Sequence, residues 1–136
     1  MNTSLCRLVS IFILLMIILL CSACSEGKKL KVDDYNNSGI AFSSQGQYDL
    51  AINDFNKAIE LGKINPTSYY NRGNAYYSKG QFDLAIKDLS KAIELHRRNE
   101  NFYYNRAKVY TSNGQYDLAS KDLNKAIEIT VDRTTW

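Results

Sequence analysis

The sequence is poor in the residues that most often carry chemistry in proteins. Its 136 residues include three cysteines, all within the first 24 positions, and one histidine, His96. The rest of the chain therefore has no cysteine for a disulfide, a zinc site or a thiol nucleophile, and a two-histidine metal site is excluded. It also has no Gly-rich phosphate-binding loop and no GxSxG motif. These absences argue against an enzyme and predict neither a cofactor nor a metal site.

The charge of the chain does not indicate a nucleic-acid partner. The sequence has 17 Lys and Arg against 14 Asp and Glu, a formal net charge of +3 that is spread along the chain. A nucleic-acid-binding protein would show a basic patch or stripe instead. The length fits one small domain.

The longest apolar run lies near the N-terminus. Residues 8–20 read LVSIFILLMIILL, preceded by Arg7 and followed by the small-residue stretch at 21–24. A basic, an apolar and a small-residue region in this order are typical of a secretory signal peptide. As a helix, the run would span about 20 Å, which is short of the roughly 30 Å hydrocarbon core of a bilayer.

The end of this segment resembles a bacterial lipobox. The resemblance of Ser22-Ala23-Cys24 to such a box implies cleavage before Cys24 and diacylation of its sulfur. We therefore predict a lipoprotein signal peptide over 1–23 and a polar tether over 24–31. The protein would be membrane-anchored in a bacterial cell envelope and face the periplasm or exterior. Ser25, rather than Asp, follows the cysteine, which favours the outer membrane if the source has one.

Two alternatives for this segment remain open. Residues 8–25 are all uncharged, and about 27 Å of helix could cross a thin bilayer as an uncleaved anchor. Simple secretion without an anchor is the other alternative.

The remainder of the chain is built from an internal repeat of 34 residues. Three blocks align without gaps: GQYDLAINDFNKAIEL from Gly46, GQFDLAIKDLSKAIEL from Gly80 and GQYDLASKDLNKAIEI from Gly114. Any two of these blocks share twelve of sixteen residues, and the segments before them also align. Such regular self-similarity is the signature of a repeat array.

Each unit predicts a hairpin of two helices, A and B. Apolar residues recur at helical spacing in both halves of each unit. The glycines at the start of the aligned blocks lie between the halves, where a left-handed residue would end helix A. Asn65 before Pro66 predicts a helix start, and Asn99 before Glu100 is its counterpart one unit later.

The pattern resembles the tetratricopeptide repeat (TPR), a 34-residue helix-turn-helix unit with large and small residues at fixed places. In this sequence those places hold Tyr35, Gly39, Phe42, Ala51 and Ala58; Tyr69, Gly73, Tyr76, Ala85 and Ala92; and Tyr103, Ala107, Tyr110, Ala119 and Ala126. The resemblance implies an all-α fold, an α-α superhelix (solenoid) of three hairpins. The units would be TPR 1 at 32–65, TPR 2 at 66–99 and TPR 3 at 100–133, followed by a tail at 134–136.

Arginine replaces the leucine that the family commonly has before the small residue of helix A. Units two and three have Arg72 and Arg106, whereas unit one has Ser38. Aspartates stand beside the apolar stripe of each helix B. We predict that Arg72 pairs with Asp54 or Asp88, and that Arg106 pairs with Asp88 or Asp122. The alternative is that both arginines extend to solvent.

The resemblance also implies a function, because TPR arrays are typically binding scaffolds whose A helices line a concave groove. The positions that match the groove of the family hold mostly tyrosine and asparagine: Asn36, Ile40, Ser43, Tyr70, Asn74, Tyr77, Tyr104, Asn105, Lys108 and Thr111. Such a surface suits a neutral or mixed peptide or partner protein. Alternatively, the tyrosines pack against neighbouring A helices.

The carboxylate clamp of chaperone-binding family members is incomplete in this sequence. Asn74 and Asn105 match its two asparagine positions, but Tyr70 and Asn101 stand at positions for basic residues. We therefore predict that the groove does not bind an EEVD-type C-terminal tail.

The sequence after the third unit contains no polar capping helix. The face that a further helix would cover, including Tyr110, Leu123 and Ile127, is expected to be partly exposed. This predicts self-association, docking onto another protein, or a truncated product of a longer array. A self-associating structural module held by an uncleaved anchor is therefore our alternative to the binding scaffold.

Overall fold

The computed structural model describes residues 3–62 and 64–134, with side chains described at 11–18, 31–62 and 64–134. These residues form six α-helices and no strand: α1 (Thr3–Ser44), α2 (Tyr48–Leu61), α3 (Pro66–Ser78), α4 (Phe82–Leu95), α5 (Glu100–Ser112) and α6 (Tyr116–Thr134). Consecutive helices form three hairpins, and each hairpin packs on the next. The predicted all-α solenoid is confirmed.

Glycine makes the turn between the two helices of every hairpin. Gly46, Gly80 and Gly114 have φ angles of 74°, 72° and 73°. L-residues with a Cβ enter this left-handed region only with strain, whereas glycine enters it freely. The predicted role of these three glycines is therefore confirmed.

Asparagine caps the first helix of the second and third hairpins, as predicted. The Asn65 side chain accepts a hydrogen bond of 2.9 Å from the backbone N–H of Thr67, and Pro66 is the first helical residue. The Asn99 side chain accepts one of 3.1 Å from the backbone N–H of Asn101. Each cap pairs one of the backbone donors that a helix start leaves free.

Small residues let the two helices of a hairpin approach closely. A Cβ added at Gly39 would lie 2.5 Å from the ring of Phe55, and one at Gly73 would lie 3.0 Å from Cγ of Leu89. Phe55 and Leu89 are 1% and 0% exposed. In the first two hairpins, a large buried side chain of helix B therefore contacts the backbone of helix A.

The predicted arginine–aspartate pairs form inside the second and third hairpins. Arg72 donates from Nε and Nη2 to both carboxylate oxygens of Asp88, at 2.7 and 2.8 Å. Arg106 makes the same pair with Asp122, again at 2.7 and 2.8 Å. Burial lowers the pKa of each arginine, but the hydrogen bonds and charge of its aspartate outweigh that effect and raise it.

Each arginine also links its own hairpin to the preceding one. Nη1 of Arg72 donates to Asn56 on α2, and Nη1 of Arg106 donates to Ser90 on α4 at 2.8 Å. Both guanidinium groups lie between two tyrosine rings of their own A helix, 5.6–5.9 Å from the ring centroids. These contacts place a charge-assisted link at each junction between hairpins.

The first hairpin has no hairpin before it in the described part of the chain, and it has no arginine at this position. Ser38 occupies the arginine position, and its hydroxyl donates to Asp54 at 2.6 Å. Asp54 also pairs with Lys57 at 3.3 Å on the same helix. This hydrogen bond of Ser38 therefore stays within the first hairpin.

Helix α1 is one continuous helix from Thr3 to Ser44, and it includes the predicted tether at 24–31. The apolar side chains of residues 11–18 are 51–71% exposed. The side chain of Cys24 lies outside the described residues, so its lipidation stays a prediction. Across the part of the chain that the structure describes, no helix is both long enough and apolar enough to cross a membrane.

Helix α6 carries exposed apolar side chains. Leu123 is 40% exposed and Ile127 is 61% exposed, whereas Tyr110 on α5 is half-buried. The partial exposure predicted for this face is confirmed. Near the end of α6, Arg133 donates to both carboxylate oxygens of Glu100 on α5, at 2.9 and 2.7 Å.

Candidate protein-binding groove

The A helices of the three hairpins lie side by side on one face of the solenoid. Helix α1 contacts α3, and α3 contacts α5, whereas within the described residues α2, α4 and α6 do not contact one another. A row of hairpins with this contact pattern curves toward its A helices. The concave face is therefore made by α1, α3 and α5, which carry all the predicted groove residues.

Four predicted groove residues are exposed: Ile40 on α1, and Tyr104, Lys108 and Thr111 on α5. Ile40 is 48% exposed, Tyr104 is 52% exposed, and Lys108 is also exposed. Asn74 on α3 is half-buried between them. An apolar side chain, a phenol, an ammonium group and an amide are therefore available to a partner along this face.

Asn36 was also predicted to face the groove, but it is only 5% exposed. Its Oδ1 atom has no hydrogen-bond partner among the described residues. Its place in the repeat is that of Tyr70, which packs between neighbouring A helices. By this equivalence, the Asn36 side chain is buried at the junction of α1 and α3 rather than exposed in the groove.

Tyr70 and Asn105 contact each other across the junction of α3 and α5. The Tyr70 ring lies 5.0 Å from the ring of Phe102, and its hydroxyl accepts a hydrogen bond of 3.1 Å from Nδ2 of Asn105. The same Nδ2 atom donates to the carbonyl of Asn101 at 2.8 Å. The amide nitrogen of Asn105 is therefore used within the protein.

Tyr77 also packs between α3 and α5. Its hydroxyl lies 3.1 Å from Oγ of Ser112, and Nζ of Lys108 lies 5.4 Å from the centroid of its ring. Its ring is 6.0 Å from that of Phe82 on α4. Packing against neighbouring helices, which the sequence left as an alternative, therefore describes Tyr70 and Tyr77 better than full exposure does.

An open pocket of about 350 Å³ lies between α1, α2 and α3. Its lining is mainly small and polar, with Phe55 and Ala75 among the apolar members: Ile40, Ser43, Ser44, Tyr48, Phe55, Asn71, Asn74, Ala75 and Ser78. Sequence reasoning placed Ile40, Ser43 and Asn74 at the groove but missed the pocket. The signal that could have found it is Ser43, which stands 34 residues before Tyr77.

The chemistry available here is hydrogen bonding and apolar contact. Hydroxyl, amide and phenol groups line the groove, and Lys108 adds one positive charge. In the described part of the chain, no three His, Cys, Asp or Glu side chains are grouped so that they could hold a metal ion. The arrangement suits recognition of a polypeptide.

Comparison with known families identifies the repeats. Residues 39–80 and 73–114 match the family described as TPR repeat, and residues 101–129 match the family described as Tetratricopeptide repeat. The first of these families alone covers more than half of the chain. No curated protein sequence matches the chain.

Several solved structures resemble the chain. The crystal structure of MamA is 27% identical with a TM-score of 0.74, over 77% of this chain and 61% of MamA. The first TPR of Spaghetti (RPAP3), bound to the HSP90 peptide SRMEEVD, is 27% identical with a TM-score of 0.72, over 74% of this chain and 79% of that one. The Arabidopsis OM64 TPR domain is 26% identical with a TM-score of 0.73, over 75% of this chain and 84% of that domain. The chain thus spans less than two thirds of the length of MamA.

Proposed function

Because the chain belongs to the tetratricopeptide repeat family, we propose that it is a non-enzymatic scaffold that binds a peptide or partner protein in its concave groove. The observation that carries this proposal is the row of accessible side chains on the A helices, Ile40, Tyr104 and Lys108, beside an open pocket. The TPR of RPAP3, which is similar to this chain, was solved with a bound peptide. TPR proteins are in general scaffolds rather than enzymes.

The partner is a neutral or mixed peptide segment rather than an EEVD-type tail. Tyr70 and Asn101 stand where the clamp of the family has basic residues, and the amide nitrogen of Asn105 already donates to both of them. Among the predicted groove residues, Lys108 alone carries a charge. Two clustered carboxylates would find too few donors here.

A capture experiment tests the groove. The full chain and its Tyr104→Ala plus Lys108→Ala variant are compared as bait for envelope proteins in the source organism. Lys87→Ala plus Lys121→Ala is the matched control, because both lysines are exposed on B helices away from the groove. We expect partners to be lost from the groove variant and retained by the control. Identical partners on all three baits would rule out the groove.

We further propose that the scaffold is anchored to a bacterial envelope membrane through lipidated Cys24. The signal-like order of residues 7–24 and the exposed apolar side chains of residues 11–18 support this placement. Mass analysis of the mature protein tests it: a diacylated N-terminal Cys24 is the expected result. An intact N-terminus would instead support an uncleaved anchor.

Self-association is a second candidate function, and the exposed apolar pair Leu123 and Ile127 on α6 favours it. Sedimentation of the full chain in detergent would then depend on protein concentration. The Leu123→Lys plus Ile127→Lys variant should remove that dependence. Sedimentation that is the same for both proteins would refute association through α6.

A further inference from the structure

The pocket between α1, α2 and α3 occupies a place that a tyrosine fills one repeat later. Ser43 on α1 is equivalent to Tyr77 on α3, since the two are separated by the repeat length of 34 residues. Tyr77 extends from α3 toward α5, where its hydroxyl meets Ser112 at 3.1 Å. Ser43 is too short to span the corresponding distance from α1 to α3. A pocket of about 350 Å³ is found there instead.

The walls of the pocket match the surroundings of Tyr77 residue by residue. Tyr77 packs against a cluster that contains Leu89 and Val109. Its ring also lies near Phe82 and Lys108, and its hydroxyl meets Ser112. Shifted back by one repeat, these five positions are Phe55, Ala75, Tyr48, Asn74 and Ser78, and all of them line the pocket.

Unpaired polar atoms mark the same junction. Oδ1 of Asn36, Oγ of Ser68 and Nδ2 of Asn71 are buried and have no hydrogen-bond partner among the described residues. One repeat later the equivalent residues are Tyr70, Phe102 and Asn105, and there Asn105 donates to Tyr70. Asn71 lines the pocket. A hydrogen-bond acceptor on an occupant could therefore pair with Nδ2 of Asn71 after a small shift of that side chain.

We propose that this pocket is a subsite for a tyrosine side chain of the bound peptide. The inference rests on the proposed function, since it names the side chain that the groove selects. The incoming ring would take the place that Tyr77 takes at the next junction, with Phe55 and Ala75 on its apolar side and Tyr48 near its edge. Its hydroxyl would reach Ser78 as that of Tyr77 reaches Ser112.

The hydroxyl distinguishes tyrosine from other apolar side chains. Ser43, Ser44 and Ser78 place three hydroxyl groups around the pocket, and Asn71 and Asn74 add two amides. A phenol has an apolar ring and a polar tip, and it could pair with this rim. A phenylalanine or leucine side chain would leave the rim without a partner, which weakens binding.

Small probes test the subsite directly. The full chain in lipid nanodiscs is titrated with N-acetyl-tyrosinamide, N-acetyl-phenylalaninamide and N-acetyl-leucinamide, and binding is followed by saturation-transfer NMR of the probe. We expect the tyrosine probe to bind in the millimolar range, and about three- to tenfold more tightly than the phenylalanine probe, as one hydrogen bond predicts. Equal or tighter binding of the leucine probe would overturn the proposal.

Ser43→Tyr is the decisive variant, because it supplies within the chain the side chain that the pocket is proposed to take from a peptide. It should abolish binding of the tyrosine probe and raise the midpoint of thermal unfolding. Retained binding in a folded Ser43→Tyr protein would refute the subsite.

Ser78→Ala and Ser112→Ala form a matched pair at equivalent positions. Ser78→Ala should weaken binding of the tyrosine probe by about three- to tenfold and leave binding of the phenylalanine probe unchanged. Ser112→Ala should leave binding of both probes unchanged. Equal effects of the two variants would contradict the assignment.

The outcome can be separated from that of the proposed function. If the tyrosine probe does not bind but partner capture still depends on Tyr104 and Lys108, the subsite is wrong and the groove is right. If the probe binds and partner capture does not depend on the groove, the subsite stands and the proposed function fails.

Discussion

Replacement of Arg72 by leucine, the residue common at this place in the family, tests whether the arginines stabilise the solenoid. Asp88 is 4% exposed and accepts two hydrogen bonds from Arg72 at 2.7 and 2.8 Å. Without the guanidinium, a buried carboxylate would lose its cation, a change that costs about 3–5 kcal/mol in proteins. The Arg72 side chain is 19% exposed, so water can partly replace it. We expect Arg72→Leu to lower the free energy of unfolding by about 2–4 kcal/mol.

A double variant separates the charge effect from packing. Arg72→Leu plus Asp88→Leu removes both members of the pair, and buried pairs replaced by apolar residues are often neutral in stability. The double variant should therefore unfold within about 1 kcal/mol of the original protein. Lys91→Ala is the control for a solvent-exposed pair, since the side chains of Lys91 and Glu94 are 40% and 62% exposed. It should change stability by less than about 1 kcal/mol.

Urea denaturation followed by circular dichroism at 222 nm measures all four proteins. The reasoning requires a large loss for the single variant, most of it recovered in the double variant. A loss below about 1 kcal/mol for Arg72→Leu would show that the aspartate is well solvated without its partner. A double variant as unstable as the single one would show that the arginine acts through packing alone.

Three further predictions concern other parts of the array. Ser38→Arg should give Asp54 the arginine partner that Asp88 and Asp122 have in the later hairpins. It should raise the free energy of unfolding by about 1 kcal/mol in urea denaturation. No gain would show that the first hairpin cannot accommodate the arginine side chain. Gly39→Ala should lower stability by about 1–3 kcal/mol in the same assay despite a better helix propensity, because a Cβ there would lie 2.5 Å from the buried ring of Phe55. The hydrogen bonds from Arg133 are the main reason that the pKa of Glu100 is lowered below its usual 4.5. The stability that this pair adds to the folded protein is therefore present above pH 4.5 and is lost as the pH falls through the lowered pKa. Hydrogen exchange at the end of α6 should accelerate over that acidic range in the original protein, but show no such step in Glu100→Gln.

The fold could be predicted from the sequence because its determinants are local and repeated. Left-handed glycines, asparagine caps and helical spacing of apolar residues each depend on a few neighbouring positions, and all recur in one register. The pairs of Arg72 and Arg106 were predictable for a similar reason, since an arginine on one helix faced few carboxylates in the hairpin. The continuity of α1 through residues 24–31 was not predicted, because the change to polar residues there suggested a tether.

The candidate site was predictable only in part, because exposure depends on what lies across a junction. The motif positions place Asn36, Tyr70 and Tyr104 alike on the A helices, yet the structure leaves them 5% exposed, half-buried and 52% exposed respectively. Asn36 and Tyr70 lie on helices that are followed by another A helix, and that next helix covers their side chains. No described A helix follows α5, so Tyr104 stays open. Periodicity along one chain segment carries no information about that neighbour.

The pocket shows where a repeat sequence does carry functional information, namely in the differences between its units. Unit one has Asn36 in place of Tyr70 and Ser43 in place of Tyr77. Tyr70 and Tyr77 both contact α5 of the next hairpin, and each is replaced in unit one by a shorter side chain. The first junction is consequently less well filled, and the same deficit supplies the open pocket. A less well filled junction and an open pocket are thus two consequences of the same two differences between the units.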